Sequence, residues 1–123
     1  MKKTTAIIAT LFLAACSNQS PPPTQAFQQP GVVFKLVPQS STHCKARGNA
    51  YRASVEWTVP GADKADLEIR LRSADGQVLL GTDKATGNQE TGDWVEPGLW
   101  FLLLDRRSKE TIAALQAGPS PCQ

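Results

Sequence analysis

Histidine is almost missing from this chain: His43 is the only one in 123 residues. A Ser/His/Asp or Cys/His nucleophile would have to use it, yet it stands in a polar loop next to Cys44, where a solvated or disulfide-adjacent structural role is the simpler reading. No serine lies in a Gly-x-Ser-x-Gly turn. No Asp-x-Asp-x-Asp calcium loop occurs, which leaves Asp63 and Asp66 as weak ligands at best and solvated turn carboxylates otherwise. Asp93 and Glu96 flank Trp94 in a way that superficially suggests the paired carboxylates of glycoside hydrolysis, but a turn ending a strand accounts for them as well. The chain also lacks an apolar run near the ~20 residues that a membrane-crossing helix requires. These absences point away from an enzyme, and no metal or diffusible cofactor is expected.

What is present begins at the N-terminus. Lys2 and Lys3 precede an apolar stretch from Ala6 to Phe12, followed by Leu13-Ala14-Ala15-Cys16. A charged start, a short apolar core and small residues before a cut site describe a secretory signal peptide over residues 1–15. The last four residues resemble the lipobox of bacterial lipoproteins. That resemblance implies cleavage before Cys16, a thioether-linked diacylglycerol on its sulfur and a further acyl chain (palmitate or similar) on its new amino group. Several acyl chains would hold the protein on a membrane where one holds weakly, each buried CH₂ contributing about 0.8 kcal/mol. Ser17 follows the cysteine in place of an inner-membrane retention aspartate, so the resemblance further implies the outer membrane, with the domain facing either the periplasm or the surface.

Charge of one sign is also lacking. The 13 Lys and Arg exceed the 11 Asp and Glu by two, and Lys2 and Lys3 would leave with the signal peptide, so the remainder is balanced. A neutral body has no electrostatic footprint for nucleic acid and no polybasic membrane anchor. Setting Cys16 aside leaves Cys44 and Cys122, which in an exported domain read as one disulfide closing nearly the whole folded region; two buried free thiols are the alternative.

Residues 16–30 form the lipidated start and a tether rich in Ser, Gln and Pro, too poor in apolar side chains to offset its ordering entropy. Pro21-Pro22-Pro23 favours polyproline II, and the fully extended tether would reach ~40 Å. From Gly31 to Gln123 the pattern turns to period two. Val32, Phe34 and Leu36 alternate with Val33, Lys35 and Val37. Tyr51, Ala53, Val55, Trp57 and Val59 share one face of the clearest strand, which Pro60-Gly61 stops. Leu67, Ile69 and Leu71 follow, and Asp75-Gly76 predicts a type I′ hairpin turn with two positive φ angles before a return over Gln77–Gly81. The polar stretch Thr82–Asp93 has room for one short edge strand. Pro97-Gly98 turns into Leu99–Asp105, and Glu110–Leu115 fits a last strand or a short helix. Six or seven short strands with turn signals every 8–12 residues predict an all-β antiparallel sandwich.

The run Ala53-Ser54-Val55-Glu56-Trp57-Thr58-Val59-Pro60 resembles the second strand of fibronectin type III and immunoglobulin-like domains, whose tryptophan lies centrally in the core. Leu67–Arg72 is similar to the third strand, and Trp94–Phe101 to the turn into the penultimate strand, with Phe101 as the aromatic residue after Pro-Gly. The resemblance implies an immunoglobulin-like β-sandwich over Val32–Ala117. It carries no function, since such folds host many, and the Cys44–Cys122 bridge departs from the family's usual modules.

The sandwich resemblance places Phe101 and Leu103 inside, so Trp100, Leu102 and Leu104 face outward as an apolar strip. Such a patch marks a partner surface when exposed; cover from Phe27, Pro30 or Ala117–Pro121 is the alternative. These residues suggest a non-enzymatic lipoprotein of the cell envelope that binds another envelope protein, as an accessory of a secretion, pilus or surface-assembly machine. Two alternatives stay open. One is a glycan- or peptidoglycan-binding module using Trp94 or Trp100, with Asn88, Gln89 and Asp93 nearby in sequence. The other is an inhibitor or immunity protein with Thr82–Asp93 as a protruding loop.

Overall fold

The computed structural model describes residues 21–39, 50–61 and 65–121. Those residues hold eight strands and no helix: β1 (Phe27–Gln28), β2 (Val33–Pro38), β3 (Ala53–Thr58), β4 (Leu67–Leu71), β5 (Val78–Thr82), β6 (Thr86–Glu90), β7 (Trp100–Asp105) and β8 (Thr111–Gln116). They form two antiparallel sheets, ordered β1-β8-β7-β4-β5 and β2-β3-β6. The all-β sandwich expected from period-two patterning is therefore present, and the last segment is the strand Thr111–Gln116 rather than a helix.

Alternation decides which side chains fill the space between the sheets. On β3, Ala53, Val55 and Trp57 are buried while Ser54, Glu56 and Thr58 are only partly so. Val32 and Phe34 close over them from one side, and Ile69, Leu71, Phe101, Leu103 and Ala113 come from the facing sheet. Trp57 lies inside, its indole Nε1–H donating to the Lys84 carbonyl at 3.0 Å, which removes the cost of burying that donor. Residue 87, cross-strand from Trp57, must be glycine: a Cβ there would meet the ring at 2.6 Å.

Three local expectations change. The 17–30 tether is not structureless as far as it is described. Phe27 and Gln28 pair with Ala114 and Ala113, Gln29 N–H donates to the Ile112 carbonyl at 3.0 Å, and the Gln28 amide oxygen accepts from Phe34 N–H at 2.7 Å. Little apolar burial is needed for this. The β8 edge offers unpaired backbone groups, and the Gln28 side chain reaches across to β2 in the other sheet, joining the two layers at that edge. Next, Asp75-Gly76 is not a type I′ turn. Neither residue has positive φ; the left-handed position is Arg72 (φ 77°), and the connection is the longer loop 72–77. Gly76 is required there by close approach instead, because a Cβ would fall 1.8 Å from the Leu71 carbonyl oxygen. Finally, the Thr82–Asp93 stretch holds the short edge strand it had room for, β6 of the smaller sheet, and only the alternative of a protruding loop over residues 86–90 is overturned.

Pro97-Gly98 turns the chain as expected. Leu99 N–H donates to the Glu96 carbonyl at 3.0 Å and Gly98 takes φ 90°, the geometry of a type II turn with proline and glycine at its centre. Tyr51, expected on the β3 strand, is instead an isolated bridge partner of Val95. It is fully buried, and its hydroxyl donates to the Gly118 carbonyl at 2.9 Å. Burial raises its phenol above the ordinary value of 10.0.

Candidate functional site

Several sequence-predicted positions lie outside the described residues: Cys16, His43, Cys44, Asp63 and Cys122. The remaining candidates can be placed.

Trp100, Leu102 and Leu104 do point away from the inter-sheet core. They form a separate cluster with Ala114 on the outer face of the five-stranded sheet. An open apolar patch is nevertheless not what they make, which corrects that reading: Leu102 is 3% and Leu104 1% exposed. Cross-strand register gives part of the reason. Arg70 stands opposite Leu102 and Glu68 opposite Leu104, and residues in register share a face. Arg70 Nε donates to Glu68 Oε1 at 2.8 Å and its Nη1 to the Gly76 carbonyl at 2.9 Å, so the arginine stem is fixed on that row. On the other side Ala114 is paired with Phe27 of β1. The row is therefore flanked by the Glu68–Arg70 ion pair on one side and the N-terminal strand on the other, with Ala74 and Trp100 packed against it. Trp100 alone of the three remains half-exposed.

Asp93, Trp94 and Asn88 are not brought together. Asp93 accepts from Arg52 Nε at 3.1 Å. Asn88 sits exposed on β6, paired with Glu56, and lines a shallow hollow with Lys35 and Thr58. Trp94 belongs to neither; it stacks on Phe101 with ring centroids 6.4 Å apart and planes 21° from parallel. Asp93 is thus taken up by Arg52, while Glu96 lines a different hollow, so the two carboxylates do not form a pair. Asp66 is engaged by Arg106 at 2.6 Å and Arg107 at 3.5 Å, which removes it as a calcium ligand in this arrangement.

What the fold does assemble is a hollow of about 500 Å³ at one end of the sandwich. Leu71, Leu79, Trp94 and Leu99 supply apolar walls, while Arg72, Gln77 and Glu96 carry polar groups. Trp94 gets there because the 91–95 segment crosses from β6 to β7 over Phe101, held by the two Tyr51–Val95 backbone hydrogen bonds of 2.8 and 2.9 Å. Arg72 gets there through strain: its left-handed backbone costs a non-glycine residue about 1–2 kcal/mol. That backbone is secured by a 2.9 Å hydrogen bond from its N–H to the Trp100 carbonyl. Among the described residues neither the Arg72 guanidinium nor the Glu96 carboxylate has an ion-pair or hydrogen-bond partner. A second hollow, of about 370 Å³, shares Arg72, Glu96 and Leu99 with the first and has Trp100 and Pro22 as its other walls. Trp94 packs toward the inter-sheet core and Trp100 toward the outer cluster, so the two indoles stand on opposite sides of an Arg72–Leu99 ridge.

The rim of the first hollow includes Val78, at the start of β5. This strand is the far edge of its sheet, carries no charged residue or proline, and leaves Val78 44% exposed. An edge of that kind, next to an apolar hollow, can receive an extended segment by backbone pairing while one of its side chains enters the hollow. Arg72 and Gln77 had no distinguishing mark in the sequence; only the meeting of the 72–77 loop with the 94–99 turn reveals them. No family model, no curated protein and no solved structure matches this chain.

Proposed function

We propose that this chain is a lipid-anchored cell-envelope protein, acylated at Cys16 and sorted to the outer membrane, whose sandwich is a non-enzymatic module that binds another envelope protein. The sandwich is of the immunoglobulin-like, fibronectin type III-like kind. Its strand order supports that reading: counting β2 to β8 as seven successive strands, the first, second and fifth share one sheet and the third, fourth, sixth and seventh the other. The Cys44–Cys122 disulfide is supported by the Tyr51–Gly118 hydrogen bond, which brings chain segments seven residues after the one cysteine and four before the other into contact.

The observation that carries the binding role is the Trp94 hollow beside the uncharged β5 edge, with Arg72 and Glu96 at its mouth and unpaired among the described residues. On this reading the recognition surface is the end of the sandwich rather than the row of Leu102 and Leu104. The test is a photoreactive residue at Gln77 in the full chain, in its native envelope, with mass spectrometry of the adducts. One recurrent envelope protein is expected, and it should be lost when the exposed Val78 is changed to lysine, a charge that blocks strand addition.

Glycan recognition is the second reading. The same hollow favours it, since Trp94 offers an aromatic wall and Arg72, Gln77 and Glu96 offer the donors and acceptor a sugar ring needs. Adducts carrying peptidoglycan or polysaccharide fragments, insensitive to Val78→Lys, would select it over the protein partner.

A further inference from the structure

The route of the N-terminal segment fixes more than a link to the membrane. Strand β1 holds Phe27 and Gln28 on β8, and the residues before it run back over the domain, with Pro22 sharing the second hollow with Pro97, Leu99 and Trp100. The chain therefore leaves the sandwich at the Trp100 end. Only residues 17–21 separate Pro22 from Cys16. At about 3.1 Å per residue that segment spans roughly 20 Å when fully extended, less than the roughly 30 Å diameter of a domain this size. A domain anchored through Cys16 thus has one end held close to the bilayer and cannot swing the opposite end onto it.

The chemistry of that end suits a lipid headgroup layer. Trp100 and Leu99 are half-exposed, Pro97 and Gly98 exposed, and Arg72 stands beside them with a guanidinium unpaired among the described residues. Tryptophan prefers the membrane interface because its ring is apolar and its N–H polar, and a guanidinium matches lipid phosphate. Resting on the Cys16 anchor proposed above, we infer that the Trp100 end of the sandwich lies against the phospholipid surface, with Leu99 and Trp100 in the headgroup layer. The short tether makes this contact intramolecular in effect, so it needs little affinity of its own. Trp94, across the ridge, then opens sideways along the membrane, and its partner must be reachable at that height.

The experiment uses the full chain, isolated from membranes of a lipoprotein-processing host grown with 5-fluorotryptophan and reconstituted in phosphatidylethanolamine/phosphatidylglycerol vesicles with and without a headgroup-nitroxide phospholipid. Intact mass reports acylation, and the ¹⁹F spectrum reports each indole, with Trp100→Phe assigning its resonance. The expected result is an acylated chain in which the nitroxide removes most of the Trp100 signal and leaves Trp57, buried between the sheets, unchanged. An acylated chain whose Trp100 signal survives, or whose Trp57 signal falls equally, overturns the membrane contact alone. An unacylated chain overturns the anchor and the contact together.

Discussion

Replacing Arg70 with methionine removes one charge and keeps an aliphatic stem of similar reach on the row shared with Leu102. The partner left behind is Glu68, whose side chain is only 5% exposed and whose Oε1 accepts from Arg70 Nε at 2.8 Å. Breaking a buried pair from one side costs about 3–5 kcal/mol when both groups are fully desolvated, because the remaining charge loses its compensation. The Arg70 side chain is 21% exposed, so water repays part of that, and a loss of about 2–3 kcal/mol is expected. For a domain of this size each kcal/mol corresponds to roughly 4–8 °C in melting temperature. The double variant Glu68→Gln, Arg70→Met should regain most of the loss, since no charge is then stranded. Urea denaturation of the Cys16→Ser chain, followed by tryptophan fluorescence, measures all three. A single-variant loss below about 1 kcal/mol, the level of a surface pair, would refute the claim that this ion pair closes the outer face over Leu102 and Leu104.

Other consequences are open to measurement. Tyr51→Phe should lose about 1 kcal/mol with the hydroxyl bond to Gly118. Because burial raises the Tyr51 phenol above 10.0, stability of the parent should be level below that pH and fall as pH climbs toward the raised value, the unfolded chain ionising first. The phenylalanine variant should lack that part of the alkaline decline in a denaturation series. Gly98→Ala should cost about 1–2 kcal/mol, since φ 90° strains any residue with a Cβ, and calorimetry reads it directly. Reduction of an exported, acylated chain should lower stability by roughly 4–5 kcal/mol if Cys44 and Cys122 are bridged across so long a loop. Ready alkylation of both thiols without reductant would remove that bridge from the scheme.

The legible parts of the fold are those that depend on near neighbours in the chain. Strands β3 and β4 are visible because Val55 and Trp57, or Leu67 and Ile69, stand two apart and a pleated strand sends such pairs to one face. The Pro97-Gly98 turn is visible because the two residues carry its dihedral requirements themselves. Strand β1 is not, because Phe27 and Gln28 have no strand-like pattern and owe their structure to an edge of β8 more than 80 residues away. Asp75-Gly76 misleads for a related reason: the same dipeptide closes a tight hairpin or, as here, sits in a longer loop whose left-handed residue is Arg72, set by its backbone bond to Trp100.

The candidate site divides along the same line. Trp94 and Trp100 stand out in any reading of the chain, as rare large aromatics around a Pro-Gly turn. That they occupy opposite sides of one ridge, that Asp93 is engaged by Arg52, and that Leu102 and Leu104 lie under cover are facts of tertiary packing. By itself the sequence determined an all-β chain with inward and outward faces and turns at its Pro-Gly pairs, because each of these depends on residues a few positions apart. Only the tertiary structure decided which outward side chains meet water, since solvent access depends on neighbours brought in from distant strands.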